Sequence, residues 1–181
     1  MAWSTPLTAV ANSALTAAQW NASVRDNLLE TAPAKATAAG RIFVSTGANA
    51  IAERVIDQAT NTGTGTTSST SFTDLTGTAV GPSVTVTTGT RALVWFSCQM
   101  GNSGTNAVTQ VAVEVSGATT LAADNTKDLY IDGLGGGQAI RAGVVELFTG
   151  LTPGSNTFTL KYRVGSGTGT FYDRAIGVIA L

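Results

Sequence analysis

Short apolar runs, separated by turns rich in Gly and Asn, fill the chain from residue 72 to residue 181. In the run Phe158–Val164, apolar residues occupy every second position, and Thr159, Lys161 and Arg163 lie between them. A period of two is that of a β-strand with one buried face. About eight such runs, at spacings of roughly 8–15 residues, are typical of an antiparallel sandwich or a jelly roll. We therefore predict a mainly β fold, with a jelly-roll-like antiparallel β-sandwich over residues 72–181.

The beginning of the chain has a different pattern, which predicts a short helix over residues 16–30. Thr16 is a good N-cap, and Gln19, three residues later, completes a capping box. The segment that follows contains neither Gly nor Pro until Pro33, which we expect to stop the helix.

This helix carries an apolar stripe. Trp20, Val24 and Leu28 recur every four residues, and Leu15 and Trp20 occupy the two positions of a hydrophobic staple. Because a helix of this length is marginal alone in water, the stripe and nearby Trp3 need a covering surface. The sandwich, a sister chain or a different protein could provide that surface.

Four segments are predicted from these features. Residues 1–33 form an N-terminal attachment segment, and residues 34–60 form an arm that contains a β-hairpin. The polar stretch 61–71 is interpreted as a linker, although its many Thr residues are also compatible with an extended β segment. Residues 72–181 form the head.

Charge and composition exclude several classes of partner. Charged residues make up only 12% of the chain, its net charge is −1 and its pI is about 5.2. Without a basic stripe there is no electrostatic basis for binding nucleic acid or an anionic membrane. No apolar run approaches the roughly 18–20 residues that span a bilayer, and the N-terminus does not resemble a signal peptide. We expect a soluble protein that is made in a cytoplasm and does not insert into membranes.

The chemistry that catalysis needs is scarce in this chain. It contains no histidine, which excludes His-based triads and the commonest zinc ligand. Its single cysteine, Cys98, lies in an apolar run and is predicted to be a small buried core residue. The sequence therefore predicts a protein that is not an enzyme.

The carboxylates do not form a recognisable site. Glu114 and Glu146 lie within strands, and we expect them to pair with basic residues: Arg91, Arg141, Lys161, Arg163 or Arg174. Asp124, Asp128 and Asp132 are spaced by four residues, but this spacing does not match an EF-hand calcium loop. No catalytic residue, cofactor or metal site is predicted.

Aromatic side chains leave one binding function open. Tyr130, Tyr162, Phe171 and Tyr172 could form a platform on which sugars stack, and Tyr130 and Tyr172 are the candidates for contact with a glycan. Such residues also serve as ordinary core or interface packing. A glycan- or receptor-binding module is therefore the alternative interpretation of the head.

Several segments resemble bacteriophage proteins. The segments Trp3–Pro6, Leu15–Asn21 and Val24–Leu29 resemble the opening of many phage fibre, minor tail and head-decoration proteins. Residues Gly40–Arg54 are similar to a hairpin that follows the helix in those proteins, and Phe171–Val178 resembles the last strand of their jelly-roll heads. The chain departs from the family pattern at position 20, where it has Trp instead of the more usual Leu.

The resemblance implies a structural virion protein, often a homotrimer, that is made in the host cytoplasm and anchored by residues 1–33. It would be a capsid-attached decoration protein, a short fibre or a tail-fibre component, with other virion proteins as partners. The attachment residues predicted from the stripe and the resemblance are Trp3, Leu15, Trp20, Val24, Arg25, Asp26 and Leu28.

Overall fold

A computed structural model describes residues 4–8, 10–76, 80–133 and 136–181. The chain forms two compact units, which divide between Val55 and Ile56. The first unit contains helices and a hairpin, and the second contains the sandwich.

The predicted helix begins as expected and ends two residues early. It consists of α1 (Ala17–Trp20), a π-helical turn (Asn21–Arg25) and α2 (Asp26–Leu28). The Thr16 Oγ1 accepts a hydrogen bond of 3.2 Å from the Gln19 backbone N–H. The Gln19 side chain in turn accepts one of 2.9 Å from the Thr16 N–H. The capping box is therefore confirmed.

Pro33 does not mark the end of helical structure. It lies in the first turn of a second short helix, α3 (Ala32–Lys35). Proline is tolerated there because an N–H in the first turn has no partner within the helix. A 2.8 Å ion pair joins the Lys35 ammonium to Glu30, and the hydrogen bond from Lys35 lowers the pKa of Glu30. None of the helices in the described ranges is long and apolar enough to cross a membrane.

The predicted hairpin is present in the first unit. Strand β1 (Ile42–Gly47) pairs antiparallel with β2 (Ala50–Arg54), and Asn49 in the turn has a φ of 54°. The return strand ends at Arg54.

The described part of the second unit contains nine strands in two antiparallel sheets. Their bounds are β3 (Ile56–Asn61), β4 (Gly65–Thr67), β5 (Ser83–Thr88), β6 (Arg91–Asn102), β7 (Thr109–Gly117), β8 (Asp128–Ile131), β9 (Ala139–Thr149), β10 (Gly154–Val164) and β11 (Gly169–Ala180). A four-stranded sheet has the order β5-β10-β7-β8. A five-stranded sheet has the order β3-β11-β6-β9, and β4 also pairs with β11. The predicted jelly-roll-like β-sandwich is confirmed.

Two predicted segment boundaries are wrong. Residues Ile56–Asn61, assigned to the arm 34–60, form β3 and pair with β11 of the sandwich. Residues Gly65–Thr67, inside the supposed linker 61–71, form β4 on the same strand. Their Thr-rich composition suits strands, as the alternative interpretation of this stretch allowed. The two strands β3 and β4 lack an alternation of apolar and polar residues because they lie at the margin of the sheet.

Aromatic side chains from both sheets fill the core. Phe148 and Phe158 meet edge to face, with ring centroids 5.8 Å apart. Tyr162 and Phe171 lie 4.9 Å apart, and both are fully buried. Cys98 is buried as predicted, and burial raises the pKa of its thiol to about 12.

One charged side chain, that of Arg174, lies inside this core with 1% of its surface exposed. Its guanidinium donates hydrogen bonds of 2.8 Å to the Gly81 carbonyl and 3.0 Å to the Gly63 carbonyl. It also lies 5.6 Å from the centre of the Tyr162 ring. Arg174 therefore fastens the long connection between β3 and β5 to the last strand.

Candidate functional site

A buried amide on the helix organises the N-terminal unit. Asn27 is 3% exposed, and its Oδ1 accepts a hydrogen bond of 2.9 Å from the Ser4 backbone N–H. Its Nδ2 donates to the Ser4 carbonyl at 3.3 Å and to the Ser23 carbonyl at 3.1 Å. One side chain thus binds both backbone groups of Ser4, as a neighbouring strand would.

Two hydroxyl groups strengthen this contact. The Ser4 hydroxyl lies 3.0 Å from Asn27 Oδ1 and 3.2 Å from the Ala22 carbonyl, and it can donate to either. The Leu7 N–H donates a 3.1 Å hydrogen bond to the Ser23 hydroxyl. The extended leading segment is therefore held along the helix by polar contacts.

Ser4 and Asn27 belong to the motifs that resemble phage proteins, but their hydrogen bonds were not predicted. A signal for Asn27 does exist. It follows Val24 by three residues, so it lies beside the apolar stripe, where a polar side chain needs a partner. Its partner, Ser4, lies 23 residues earlier in the chain, so no local sequence pattern predicts this contact.

The predicted attachment residues are largely exposed. Trp20 is 57% exposed, Leu28 59% and Leu15 49%, whereas Val24 is half-buried. Leu29, which was not predicted, is 56% exposed. We call the four exposed side chains, Leu15, Trp20, Leu28 and Leu29, the attachment surface. Water is a poor environment for so many large apolar groups on one short segment.

Three other predicted attachment residues differ from this set. Trp3 lies outside the described residues. Arg25 and Asp26 pair with each other, with an Arg25 Nη2 to Asp26 Oδ1 distance of 2.8 Å. Since an exposed ion pair contributes only about 0–1 kcal/mol, this pair adds little to the stability of the helix.

The structure places the two candidate glycan residues on different sheets. Tyr130, on β8, is 51% exposed, and its hydroxyl donates to Asp132 Oδ2 at 3.3 Å. Desolvation and the Asp132 carboxylate raise the pKa of Tyr130. Tyr172, on β11, is half-buried and lines a cleft of about 340 Å³. Tyr130 does not line this cleft, so the two rings do not share one site.

The cleft at Tyr172 is lined mainly by residues with polar side chains. Its other lining side chains include Asn102, Ser103, Gln138 and Thr170. Asn102 is fixed by the loops, since its Oδ1 accepts from the Gly104 N–H at 2.9 Å. The Gln138 amide and the Thr170 hydroxyl beside one aromatic ring suit a small polar ligand such as a sugar.

The aspartates spaced by four residues are each engaged in separate hydrogen bonds within the protein. Asp124 Oδ1 accepts hydrogen bonds from the Thr126 N–H at 2.8 Å and the Thr126 hydroxyl at 2.6 Å, which lower the pKa of Asp124. Asp128 accepts from Gln110, and Asp132 accepts from the Gly133 N–H at 2.7 Å. Within the described ranges, no three such side chains come together to hold a metal ion.

The strand carboxylates find basic partners. Glu114 lies 3.4 Å from the Lys161 ammonium, which also binds Asp74 at 2.9 Å. The predicted pairing of Glu114 is therefore confirmed. Glu146 pairs with Lys127 at 3.4 Å, and Lys127 was not among the predicted partners.

Replacing Asn27 with alanine is expected to release the leading segment from the helix. The change removes the acceptor of the Ser4 N–H and leaves buried polar groups without partners, at a cost of about 1–3 kcal/mol. Hydrogen exchange of the Ser4 amide should become roughly tenfold to a hundredfold faster, as that cost implies. Asn21→Ala is the matched control, because Asn21 lies on the same helix and the hydrogen bonds of Ser4 are made with Ala22 and Asn27 instead. Equal exchange in the two variants would contradict this role of Asn27.

Comparisons with known proteins give the fold of the chain. No family model matches it, and no curated protein does. VP2 of infectious bursal disease virus, in a subviral particle, is 12% identical with a TM-score of 0.50, and the match covers 77% of this chain and 37% of VP2. The Gx strain of the same virus gives 9% identity, a TM-score of 0.46 and coverage of 76% and 35%. Eiger, a TNF from S. frugiperda, is 12% identical with a TM-score of 0.47, and the match covers 70% of this chain and 92% of Eiger. The chain therefore spans little more than a third of the virus proteins that it matches, and shares with VP2 a jelly-roll-like β-sandwich.

Proposed function

We propose that this chain is a structural protein of a bacteriophage particle, a decoration protein, short fibre or tail-fibre component. The N-terminal unit attaches it to other virion proteins, and the sandwich is displayed. The observation that carries this proposal is the attachment surface, on a helix that Asn27 ties to the leading segment. The fold shared with VP2 and the resemblance of the N-terminal motifs support it. The proposed role requires no catalysis.

The attachment surface is large enough to hold a subunit on a particle. Burial of one large apolar side chain contributes about 1.5–3 kcal/mol. Trp20 and Leu28, both more than half exposed, would together contribute about 3–6 kcal/mol when covered by a partner. A homotrimer would present three such surfaces at once, which increases avidity without any new contact.

The full-length double variant Trp20→Ala/Leu28→Ala is expected to incorporate poorly into particles. Loss of about 3–6 kcal/mol corresponds to a decrease in affinity of more than a hundredfold. Particles assembled with the variant would be purified, and the bound protein would be quantified by immunoblotting. Helix content, measured by circular dichroism, should be unchanged because both side chains are exposed.

Val80→Ala is the matched control, because Val80 is an apolar side chain of the sandwich that is 62% exposed. Incorporation of this control should equal that of the unmodified protein. Normal incorporation of the Trp20/Leu28 variant would show that the helix is not the attachment surface.

The cleft at Tyr172 favours a second candidate function, the binding of a host surface glycan. If it binds sugar, Tyr172→Ala should abolish saturable binding on a glycan array, since stacking on the ring would be lost. Tyr130→Ala is the control, because Tyr130 lies on the other sheet outside the cleft. Equal binding by the two variants, or no glycan bound by the unmodified protein, would contradict this function.

A further inference from the structure

The two outer faces of the sandwich differ in chemistry. The outer face of the four-stranded sheet is ionic: Lys161 lies between Asp74 and Glu114, and Arg163 Nε donates to Gln110 at 2.6 Å. These groups pair with one another, so this face offers fewer apolar side chains to a partner.

The outer face of the five-stranded sheet is apolar at its centre. Pairing of the strands places six apolar side chains in two adjacent rows: Ile56, Ile179, Leu93 and Leu147 in one, and Trp95 and Val145 in the next. Val145 is 61% exposed, Ile56 45% and Leu147 42%, and the other three are half-buried. We call these six side chains the apolar face. No charged residue stands among them in the paired rows.

A glycine makes room for the Trp95 ring at the centre of the apolar face. Gly177 pairs with Trp95, and a Cβ built on Gly177 would lie 1.9 Å from Trp95 Cζ2. The indole therefore lies against the backbone of β11, in space that any other residue would occupy. As a result, the ring forms part of a flat surface instead of projecting from it.

The outermost strand of the same sheet is long. Strand β9 has 11 residues and no proline, and it is the last strand of its sheet. A strand at the edge of a sheet can pair with other chains, and β9 carries charges only at Arg141 and Glu146. Val145 and Leu147 lie on this strand, so the edge and the apolar face form one continuous surface.

From this surface we infer that a second copy of the chain packs on the apolar face, with Trp95 and Val145 at the centre of the contact. Interfaces between identical subunits are more apolar than transient contacts with other proteins, whose composition resembles ordinary surface. A face without charge at its centre also offers a copy of itself no electrostatic repulsion. The inference concerns a surface other than the attachment surface and does not depend on the proposed attachment.

The size of the apolar face agrees with such a contact. Four strands about 4.8 Å apart, over about four residues that each rise about 3.3 Å, cover roughly 250 Å². A standard interface buries about 800 Å² per partner, with an apolar core and a polar rim. The apolar face can supply the core. Neighbouring polar side chains, Gln58, Thr60 and Ser97, can supply part of the rim.

The test is the oligomeric state of the full-length protein and two glutamate variants, measured by size exclusion with light scattering over a range of concentrations. The unmodified protein is expected at a multiple of 18.3 kDa. Val145→Glu should shift it to the monomer mass, because the interface would bury an unpaired charge. Val145 is exposed, so the variant should keep its β-sheet circular dichroism. Thr87→Glu, at an exposed position on β5 of the other sheet, should not change the mass.

Each contrary result identifies a different error. A monomeric unmodified protein would overturn the inference. If Val145→Glu then made residues 1–55 more sensitive to protease, the N-terminal unit would be the true occupant of the face. A Val145→Glu variant that stays oligomeric, or a Thr87→Glu variant that dissociates, would place the contact elsewhere. Since none of these measurements uses virus particles, the proposed attachment can fail independently.

Discussion

Arg174→Ala is expected to destabilise the sandwich by about 3–5 kcal/mol, through a cavity and buried groups without partners. The guanidinium donates to the carbonyls of Gly81 and Gly63, and Tyr162 Oη lies 3.4 Å from its Nη1. Alanine would leave the Gly63 carbonyl without this donor and would empty the volume beside the Tyr162 ring. The connection between β3 and β5 would lose its fastening to the core. The loss would be a large fraction of the 5–15 kcal/mol that a typical domain has in total.

The single cysteine provides a convenient measurement of this effect. Cys98 is fully buried, and burial raises the pKa of its thiol to about 12, so alkylation at pH 8 requires opening of the sandwich. Alkylation of Arg174→Ala by iodoacetamide should be more than a hundredfold faster than that of the unmodified protein, as about 3 kcal/mol or more implies. Arg91→Ala is the control, because Arg91 is exposed. Equal alkylation rates in the two variants would show that the buried guanidinium is dispensable.

The strands of the sandwich could be predicted because their alternation is local. In β10, inward and outward residues follow a strict period of two, and the structure buries every second one. The helix start was predictable for the same reason, since Thr16 and Gln19 are three residues apart. Such patterns are local in the sequence and need no knowledge of the tertiary fold.

The role of Arg174 could not be predicted because the alternation of inward and outward side chains in β11 is interrupted there. The register of β11 against β6 shifts between Tyr172 and Ala175, and Asp173 has a φ of 47°. A regular period places Arg174 on one face of the sheet, but a bulge can turn the side chain to the other. The carbonyls that it binds lie 93 and 111 residues earlier in the chain.

The apolar face could not be predicted from the sequence either. In β6, every residue from Ala92 to Phe96 is apolar, and such a run is typical of a strand buried on both sides. The structure instead buries Val94 and Phe96 and leaves Leu93 and Trp95 on the outer face. A strand with two apolar faces and only one covered indicates an interface. Only the tertiary structure shows which face stays open.

Phe158→Ala is expected to have an effect as large as that of Arg174→Ala, by a different mechanism. Phe158 is fully buried between Val84 and Val115 of its own sheet, and its ring meets Phe148 of the other sheet edge to face. Truncation removes this bridge between the sheets and leaves a cavity, at a cost of about 3–5 kcal/mol.

The thermal midpoint of Phe158→Ala, measured by circular dichroism at fixed protein concentration, should fall by about 10 °C or more. Phe158→Leu keeps most of the volume and should cost less than about 1.5 kcal/mol. Midpoints within about 2 °C of each other in the two variants would mean that the cavity collapses or that the sheets are held by other contacts. With a single cysteine the chain cannot form an internal disulfide, so the sandwich depends on packing of this kind to stay folded.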